Sequence, residues 1–400
     1  MKHSKTPVWW GAPKKFSEKR EERKISWLEL FYDLVYVIAI SRITHHLAVH
    51  HTLSGLLDYT YFFGMIFWGW VNGSLHHDMH GTSGLRTSLM TLWQMMIVAA
   101  LVITVSSSPE HLVFNATIAV MAMQLFITYL WWSVGIYDKE HRKLNTPYTV
   151  FYLTSFALMF LTLFLQQPYV RIVFYIALLL NYLPPFMSFF TMRKRDIEFN
   201  LSSSMTERLG LFTIIIFGEV VLGIVNGVID LNILNLDIWL CFGLALLIVF
   251  ALWWLFFTLI SDQSCKKGII KSSLMEIIYI PTLMALGIIA LSFSGLFQSF
   301  LPVQNIPMNL VKMGFGISTA VFIGGITLLL SLLEYPPHYL AFKKKIQQLL
   351  FASIALLLTI TFAELQLSLF AYLFIILSIL LIVIGLLNMI WYTKMNKIKE

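Results

Sequence analysis

Long apolar runs alternate with short polar segments along the whole 400-residue chain. Each run is about 20 residues long, which is the length that an α-helix needs to cross a hydrocarbon core of about 30 Å. We predict twelve membrane-spanning helices, and none of the polar gaps between them is long enough for a soluble domain. The predicted helices cover residues 27–46, 56–76, 87–106, 112–135, 147–166, 169–191, 208–229, 237–260, 273–297, 310–333, 346–366 and 368–392.

Prolines lie inside two of these runs. Pro184 and Pro185 fall in the sixth run, and Pro281 falls in the ninth. Because proline lacks a backbone N–H and clashes with the preceding turn, the sequence predicts a kinked or broken helix at both places. In membrane proteins such breaks tend to lie beside a cavity.

The placement of Lys and Arg orients the predicted helices. Of the 28 basic residues, 25 fall on one side of the alternating loops, Arg171 and Lys312 fall on the other, and Arg42 lies within the first run. Cytoplasmic loops carry the excess of Lys and Arg, so both termini are predicted to lie in the cytoplasm. The predicted location of the protein is the plasma membrane. The net charge of +7 therefore indicates membrane orientation and not a nucleic-acid partner.

Composition agrees with a membrane protein and narrows the chemistry. Hydrophobic residues make up 58% of the chain and charged residues 12%, whereas soluble domains carry about 25% charged residues. The two cysteines, Cys241 and Cys265, provide no disulfide framework or metal pair. Walker-type, HExxH, GxSxG and dinucleotide motifs are absent from the sequence, so we expect neither an enzyme nor a cofactor. The predicted class is an all-α polytopic protein whose surroundings are the lipid bilayer.

Short motifs recur in the same order in the two halves of the chain. We therefore predict two tandem six-helix repeats, residues 27–199 and 200–393, flanked by a basic cytoplasmic tail at 1–26 and a second tail at 394–400. Six spans is an even number, so both repeats share one topology and should be related by an axis along the membrane normal. The recurring pairs are RTSLM (86–90) with KSSLM (271–275), WVNGSLHHD (70–78) with WLFFTLISD (254–262), SFALMFL (155–161) with SIALLLT (353–359), and FYDLVYVI (31–38) with FGEVVLGI (217–224).

The first predicted helix carries two carboxylates on one face. Glu29 and Asp33 are four residues apart, and Tyr36 continues the same stripe. A charge at the centre of a bilayer costs about 2.5 to 3.5 kcal/mol, so such residues need a partner or a function. Glu29 lies nearer the cytoplasmic surface, and we predict it to be an interfacial anchor more than a transport residue.

The repeat alignment gives Asp33 a counterpart in the seventh predicted helix. Asp33 aligns with Glu219, which shares a face with Gly223 and Asn226, a small and polar stripe suited to close helix packing or to a hydrated cavity. Two interpretations remain open. The acids are either hydrogen-bonded groups that lock helices together, or paired proton- or cation-binding sites that face each other across the repeat axis. In the second case the candidate substrate- or ion-binding residues are Asp33 and Glu219, with Glu29, Tyr36 and Asn226.

Other polar groups give weaker signals. His45, His46, His50 and His51 gather at the outer end of the first helix, and His76, His77 and His80 with Asp78 at the inner end of the second. The first group is predicted to be solvated or interfacial. In the second, consecutive histidines point to different sides of a helix, and no metal site is predicted in either group. Glu207 and Arg208 open the seventh helix, where a carboxylate favours the positive helix end, so capping is the first explanation of this pair.

Two segments carry a family resemblance. WLELFYDLVYVIAISRITHHL (27–47) and ERLGLFTIIIFGEVVLGIV (207–225) closely resemble the signature segments of the bacterial low temperature requirement A (LtrA) family. The resemblance implies a multi-spanning plasma-membrane protein without an established biochemical activity. Arg42 and the histidine-rich loop 76–86 depart from the family pattern, since relatives more often have an uncharged polar residue and an acidic loop there.

The sequence favours a secondary transporter of a small solute or ion, coupled to a proton or ion gradient. The alternatives are a cation or proton channel and a membrane scaffold or sensor without transport. For the channel, FYD and FGE are distantly similar to the Phe-Ser-Asp signature of lysosomal and bacterial potassium channels, with Tyr32 and Gly218 in place of the serine. The expected partner is an unidentified small solute or ion.

Overall fold

The structure is a computed structural model. It describes residues 13–15, 25–49, 52–82, 84–105, 112–139, 142–166, 168–192, 201–261, 263–301, 307–335, 340–363 and 365–399.

Thirteen α-helices make up almost all of the described ranges. A short π-helix (Phe257–Ser261) extends the ninth α-helix, and a 3₁₀ turn (Gln298–Phe300) follows the tenth. The α-helices are α1 (Trp27–Val49), α2 (Leu53–His80), α3 (Leu85–Val105), α4 (Leu112–Tyr137), α5 (Arg142–Thr162), α6 (Tyr169–Tyr182), α7 (Pro184–Met192), α8 (Ser203–Ile229), α9 (Leu236–Phe256), α10 (Ile269–Phe297), α11 (Met308–Leu332), α12 (Leu340–Phe362) and α13 (Leu369–Lys399).

The length and apolar character of the helices are those of a polytopic membrane protein, as the composition predicts. Within the described residues, eight helices are long and apolar enough to cross a membrane, and α6 with α7 makes a ninth if the bent pair is one span. No β-strand occurs in these ranges, where an isolated bridge between Cys265 and Leu333 is the sole β-type pairing. A helix lies at each predicted apolar run, with boundaries that differ by a few residues.

The two proline sites behave differently. α6 ends at Tyr182 and α7 begins at Pro184, with a bend of 43° between them, so the predicted break occurs there. Pro184 needs no N–H donor at the first position of a helix. At Pro281 the helix is not broken, and α10 continues through the proline. Its neighbours Tyr279 and Leu283 are 1% and 0% exposed, and surrounding helices can hold a proline-containing segment in helical form.

Contacts divide the chain into two compact units. The first unit is Met1–Phe212 with Lys267–Leu274, and the second is Thr213–Lys266 with Met275–Glu400. In the first unit α1 packs against α2 and α3, and α5 packs against α4, α6 and α7. In the second unit α9 packs against α13, and α12 packs against α11 and α13.

A hydrogen-bonded polar network stabilises the core of the first unit. The Asn72 side-chain oxygen accepts from Trp131 Nε1 at 3.0 Å and from the Tyr152 hydroxyl at 2.7 Å. Gln124 and Asn181 exchange two side-chain amide hydrogen bonds of 2.9 Å each. Because these buried groups satisfy one another, they fix α2, α4, α5 and α6 in one arrangement.

Candidate functional site

The start of α1 orients its first carboxylate. Ser26 immediately precedes the helix, and its backbone N–H and hydroxyl both donate to Glu29 Oε2 at 2.9 Å. In return the Glu29 N–H donates to Ser26 Oγ at 3.3 Å. This reciprocal pattern is a capping box, which the Ser-x-x-Glu sequence favours at a helix N-terminus. The other carboxylate oxygen, Oε1, faces side chains of other helices of the first unit.

Asp33, one turn further along α1, is held by two donors from other helices. Trp70 of α2 donates its indole N–H to Asp33 Oδ1 at 2.7 Å. Arg208 of α8 donates to both carboxylate oxygens, with Nε 3.2 Å from Oδ2 and Nη2 bonded to Oδ1. Asp33 is 0% exposed and Arg208 is 2% exposed. The pair is therefore a buried, bidentate ion pair, and such charge-assisted pairs are stronger than hydrogen bonds between neutral groups.

Arg208 also reaches the first carboxylate of α1. Its Nη1 lies 3.5 Å from Glu29 Oε1, and Nε2 of His77 lies 3.6 Å from the same oxygen. We call Glu29, Asp33, Trp70, His77 and Arg208 the Arg208 cluster. Two carboxylates face one guanidinium, so one negative charge remains when His77 is neutral, and the charges balance when His77 is protonated.

Aromatic rings close the space around the guanidinium. Arg208 Cζ lies 5.6 Å from the centroid of the Tyr32 ring and 5.7 Å from that of Trp70, both within cation–π range. Phe212, one helical turn after Arg208, packs on Trp70 with ring centroids 4.4 Å apart. Burial strengthens the charge interactions and makes an unpaired charge costly. The cluster can therefore release a partner only if a proton or another ligand replaces it.

The whole cluster lies in the part of the chain that matches a known protein family. The sequence profile of the bacterial low temperature requirement A protein (LtrA) covers residues 24–387, most of the chain. The chain belongs to this family.

One relative of this LtrA-family chain is an uncharacterized protein, RA0937, of Rhizobium meliloti (strain 1021). The two are 26% identical over 259 residues, which is 60% of this chain and 60% of that protein. The chain therefore matches less than two thirds of the length of this relative. No solved structure matches it.

Three of the five site residues predicted for this LtrA chain lie together on α1. Glu29, Asp33 and Tyr36 are 1%, 0% and 0% exposed. Tyr36 packs on Tyr32, with ring centroids 4.6 Å apart, so it lies beside the cluster. Glu29, which is predicted to be an interfacial anchor, is buried in the protein by its capping box and by Arg208.

The other two predicted site residues, Glu219 and Asn226, lie on α8 in the second unit, and both are partly exposed. Gly223, which shares their helical face, and its neighbour Gly227 allow close helix packing. A Cβ on Gly223 would come within 2.9 Å of the backbone carbon of Ala290 on α10, and one on Gly227 within 2.9 Å of Ser294 Cα. The small residues of the stripe thus allow two membrane helices to approach backbone to backbone.

The histidine groups form no metal site in the described residues. There, no group of three or more His, Cys, Asp or Glu side chains is arranged to hold a metal ion. His45 and His46 belong to the end of α1, while His50 and His51 lie outside the described residues. His77 instead belongs to the Arg208 cluster.

Sequence reasoning missed the basic partner of Asp33. Arg208 was interpreted as part of a helix start, and Trp70 only as part of a repeated motif. One signal was available, because Arg208 and Glu29 both lie near the predicted cytoplasmic ends of their helices and hence at similar depth. Glu276 was also missed. It is a carboxylate on α10 that is 6% exposed.

Proposed function

We propose that this LtrA-family chain is a secondary transporter of a small solute or ion, driven by a proton or ion gradient across the bacterial plasma membrane. The observation that carries the proposal is Arg208, buried between Glu29 and Asp33. Ionisable groups inside a membrane protein are costly, and they usually mark substrate or proton pathways.

The cluster has the chemistry that gradient coupling requires. A proton on Asp33 removes the negative charge that holds Arg208, and a proton on His77 adds a positive charge beside Glu29. Either event changes which of the buried groups attract one another, so two arrangements of the cluster can exchange. Glu219 and Asn226 are proposed as the corresponding groups of the second repeat, where Glu219 takes the sequence position of Asp33.

We further propose twelve spans in two six-helix repeats, with both termini in the cytoplasm. Within the described residues, eight helices and the bent α6–α7 pair are long and apolar enough to cross a membrane. The remaining three, α1, α2 and α5, have 23, 28 and 21 residues, enough to cross about 30 Å at about 1.5 Å per residue. They are less apolar because they carry the buried polar groups of the first unit, among them Asp33, Asn72 and Asn145.

The alternatives from the sequence are a cation or proton channel and a non-transporting scaffold or sensor. The bidentate Arg208–Asp33 pair favours the transporter over the channel, because an acid already bound to a guanidinium offers no open site for a passing cation. A channel would need Arg208 to leave this position while the pathway conducts.

Flux measurements in liposomes test the proposal. Purified protein is reconstituted and assayed for proton flux, potassium flux and uptake of a panel of labelled small solutes under an imposed pH gradient. The variants are Asp33→Asn and Glu219→Gln. Asp58→Asn is the matched control, since Asp58 pairs with Arg171 at 3.0 Å but its side chain is 42% exposed.

We expect solute uptake that depends on the pH gradient, is lost in Asp33→Asn and Glu219→Gln, and is retained in Asp58→Asn. Ohmic proton or potassium flux without solute uptake would instead identify a channel. Folded protein with no flux of any tested ion or solute would contradict both forms of transport and leave the scaffold.

A further inference from the structure

A small pocket lies between the C-terminal end of α2 and the start of α3, in the first unit. We call it the α2–α3 pocket. Its polar lining comes mainly from His76, His77, His80, Arg86 and Gln94. Arg86 is the permanent cation of this lining, and no carboxylate belongs to it. The pocket therefore presents positive charge and hydrogen-bond donors without a built-in anion.

Two buried side chains in the lining have donors to spare. Gln94 is 4% exposed, and its Nε2 has no hydrogen-bond partner. Arg86 is 6% exposed and donates from Nη2 to Ser133 Oγ at 3.1 Å, which leaves most of its five N–H groups for another acceptor. His76 Nε2 is also buried without a partner. Buried polar groups are seldom left unsatisfied, so the Gln94 amide nitrogen, which can only donate, indicates a missing acceptor.

The helix ends around the pocket also favour negative charge. Arg86 lies in the first turn of α3, where unpaired backbone N–H groups give the helix end a partial positive charge. The opposing C-terminal end of α2 is already capped, because His77 O accepts from the Gly81 N–H at 2.9 Å and His80 O accepts from the Lys14 N–H at 3.1 Å. The negative end of α2 is thus partly satisfied.

A metal cation does not fit the same side chains. The three imidazoles of the lining form no metal-binding group with one another or with other described residues. An oxyanion suits these side chains, because a guanidinium donates to two oxygens at once. We propose that the α2–α3 pocket binds a small oxyanion, a carboxylate or a phosphate, held by Arg86 and Gln94.

The pocket adjoins the Arg208 cluster without sharing its charged pair. His77 lines the pocket and also lies 3.6 Å from Glu29. A Cβ on Gly73 would meet both the Tyr32 hydroxyl and the Gln94 amide, so those two side chains lie close together. Binding at equilibrium requires no gradient, so the oxyanion site goes beyond the proposed transport function and stands or falls separately from it.

Calorimetric titration of the full-length protein in detergent tests the site. Sodium acetate, sodium phosphate and sodium chloride are the probes, each titrated into wild type, Arg86→Gln and Gln94→Met. Arg171→Gln is the matched control for the loss of an arginine charge. Thermal unfolding of each variant verifies that it is folded, and Gln94→Met keeps the test decisive if Arg86→Gln does not fold.

We expect acetate or phosphate to bind wild type and Arg171→Gln equally, and to bind Gln94→Met at least about tenfold more weakly, because a hydrogen bond to a charged ligand is lost. Folded Arg86→Gln should show a larger loss. Absence of binding to wild type, binding of chloride alone, or unchanged affinity in the folded variants would each overturn the proposal. None of these outcomes alters the expected flux results for Asp33→Asn.

Discussion

Arg208 touches both carboxylates of α1 in a space closed by Tyr32 and Trp70. Its buried ion pairs differ from an exposed ion pair, because burial removes charges from the water that would otherwise solvate them. Removing one partner of a buried pair leaves the other without compensation, whereas an exposed pair contributes little. The two kinds of pair in this chain should therefore respond very differently to the same substitution.

We expect Arg208→Gln to lower the free energy of unfolding by about 3 to 5 kcal/mol, since Glu29 and Asp33 would remain buried without their cation. Arg171→Gln, which breaks the exposed pair with Asp58, should cost about 0 to 1 kcal/mol. Unfolding of the purified variants in a denaturing detergent series measures both.

A double variant strengthens this comparison. Asp33→Asn with Arg208→Gln removes both charges of the bidentate pair, so its cost should be smaller than the sum of the two single costs. Additive costs would show that the two side chains do not interact in the folded protein.

Gly73 occupies a tight position beside the same cluster. In Gly73→Ala the new methyl group would meet the Tyr32 hydroxyl and the Gln94 amide, the latter at 2.6 Å. We expect a loss of about 1 to 3 kcal/mol of unfolding free energy, because buried side chains must move. Gly218→Ala is the control, since nothing lies within 4 Å of its Cβ position, and alanine should stabilise that helix by up to about 1 kcal/mol. Equal effects of the two substitutions would contradict this packing.

For these residues the sequence predicts two acids on one helical face, but it does not predict that Arg208 is their partner. The spacing of Glu29 and Asp33 shows that two acids share a helical face within an apolar run, which is a local property of α1. Their partner lies 175 residues further along the chain. Its contact depends on how α8 packs, which no local pattern encodes.

The packing of α8 on α10 depends on two small residues at a spacing of four. Gly223 and Gly227 approach the backbone of Ala290 and Ser294. A larger residue there would therefore have to displace backbone atoms, not only a flexible side chain. This arrangement differs from Gly73, whose neighbours are side-chain ends. In membranes, such close packing of small residues is a main source of helix association.

We therefore expect Gly223→Ala to separate α8 from α10 and to destabilise the protein more than Gly73→Ala does. Gly243→Ala on α9 is the control, because its Cβ position has nothing within 4 Å. A disulfide between cysteines introduced at 223 and 290, in a background without Cys241 and Cys265, would report the distance directly. A Gly223→Ala variant as stable as wild type would show that the helices do not approach in this way.

Helix positions follow from the sequence because a helix in a membrane must satisfy its own backbone, so its length follows from the apolar run. The two proline sites show where this reasoning stops. Pro184 begins a new helix while Pro281 is accommodated within α10. The difference lies in tertiary surroundings that the proline itself does not reveal.

For the chain as a whole, the distribution of Lys and Arg gives a direct test of orientation and span number. In a background without native cysteines, Lys139→Cys and Leu234→Cys place single thiols at exposed positions after α4 and α8. With both termini cytoplasmic, a membrane-impermeant thiol reagent should label position 234 in intact cells. Position 139 should react only after permeabilisation.

Two outcomes would contradict that topology. Labelling of both positions from outside would require an even number of spans between them, and labelling of 139 alone would invert the protein. Membrane fractions provide the internal control, since both positions should react once the bilayer is opened.

The separation of 175 residues between Asp33 and Arg208 has a consequence for synthesis. At about 5 to 20 residues per second, the ribosome needs about 9 to 35 s to make Arg208 after Asp33. During that interval the two acids of α1 lack Arg208, so they must stay protonated, hydrated or sheltered by the insertion machinery. A nascent chain that stops before α8 should therefore be recognised as unfinished and degraded.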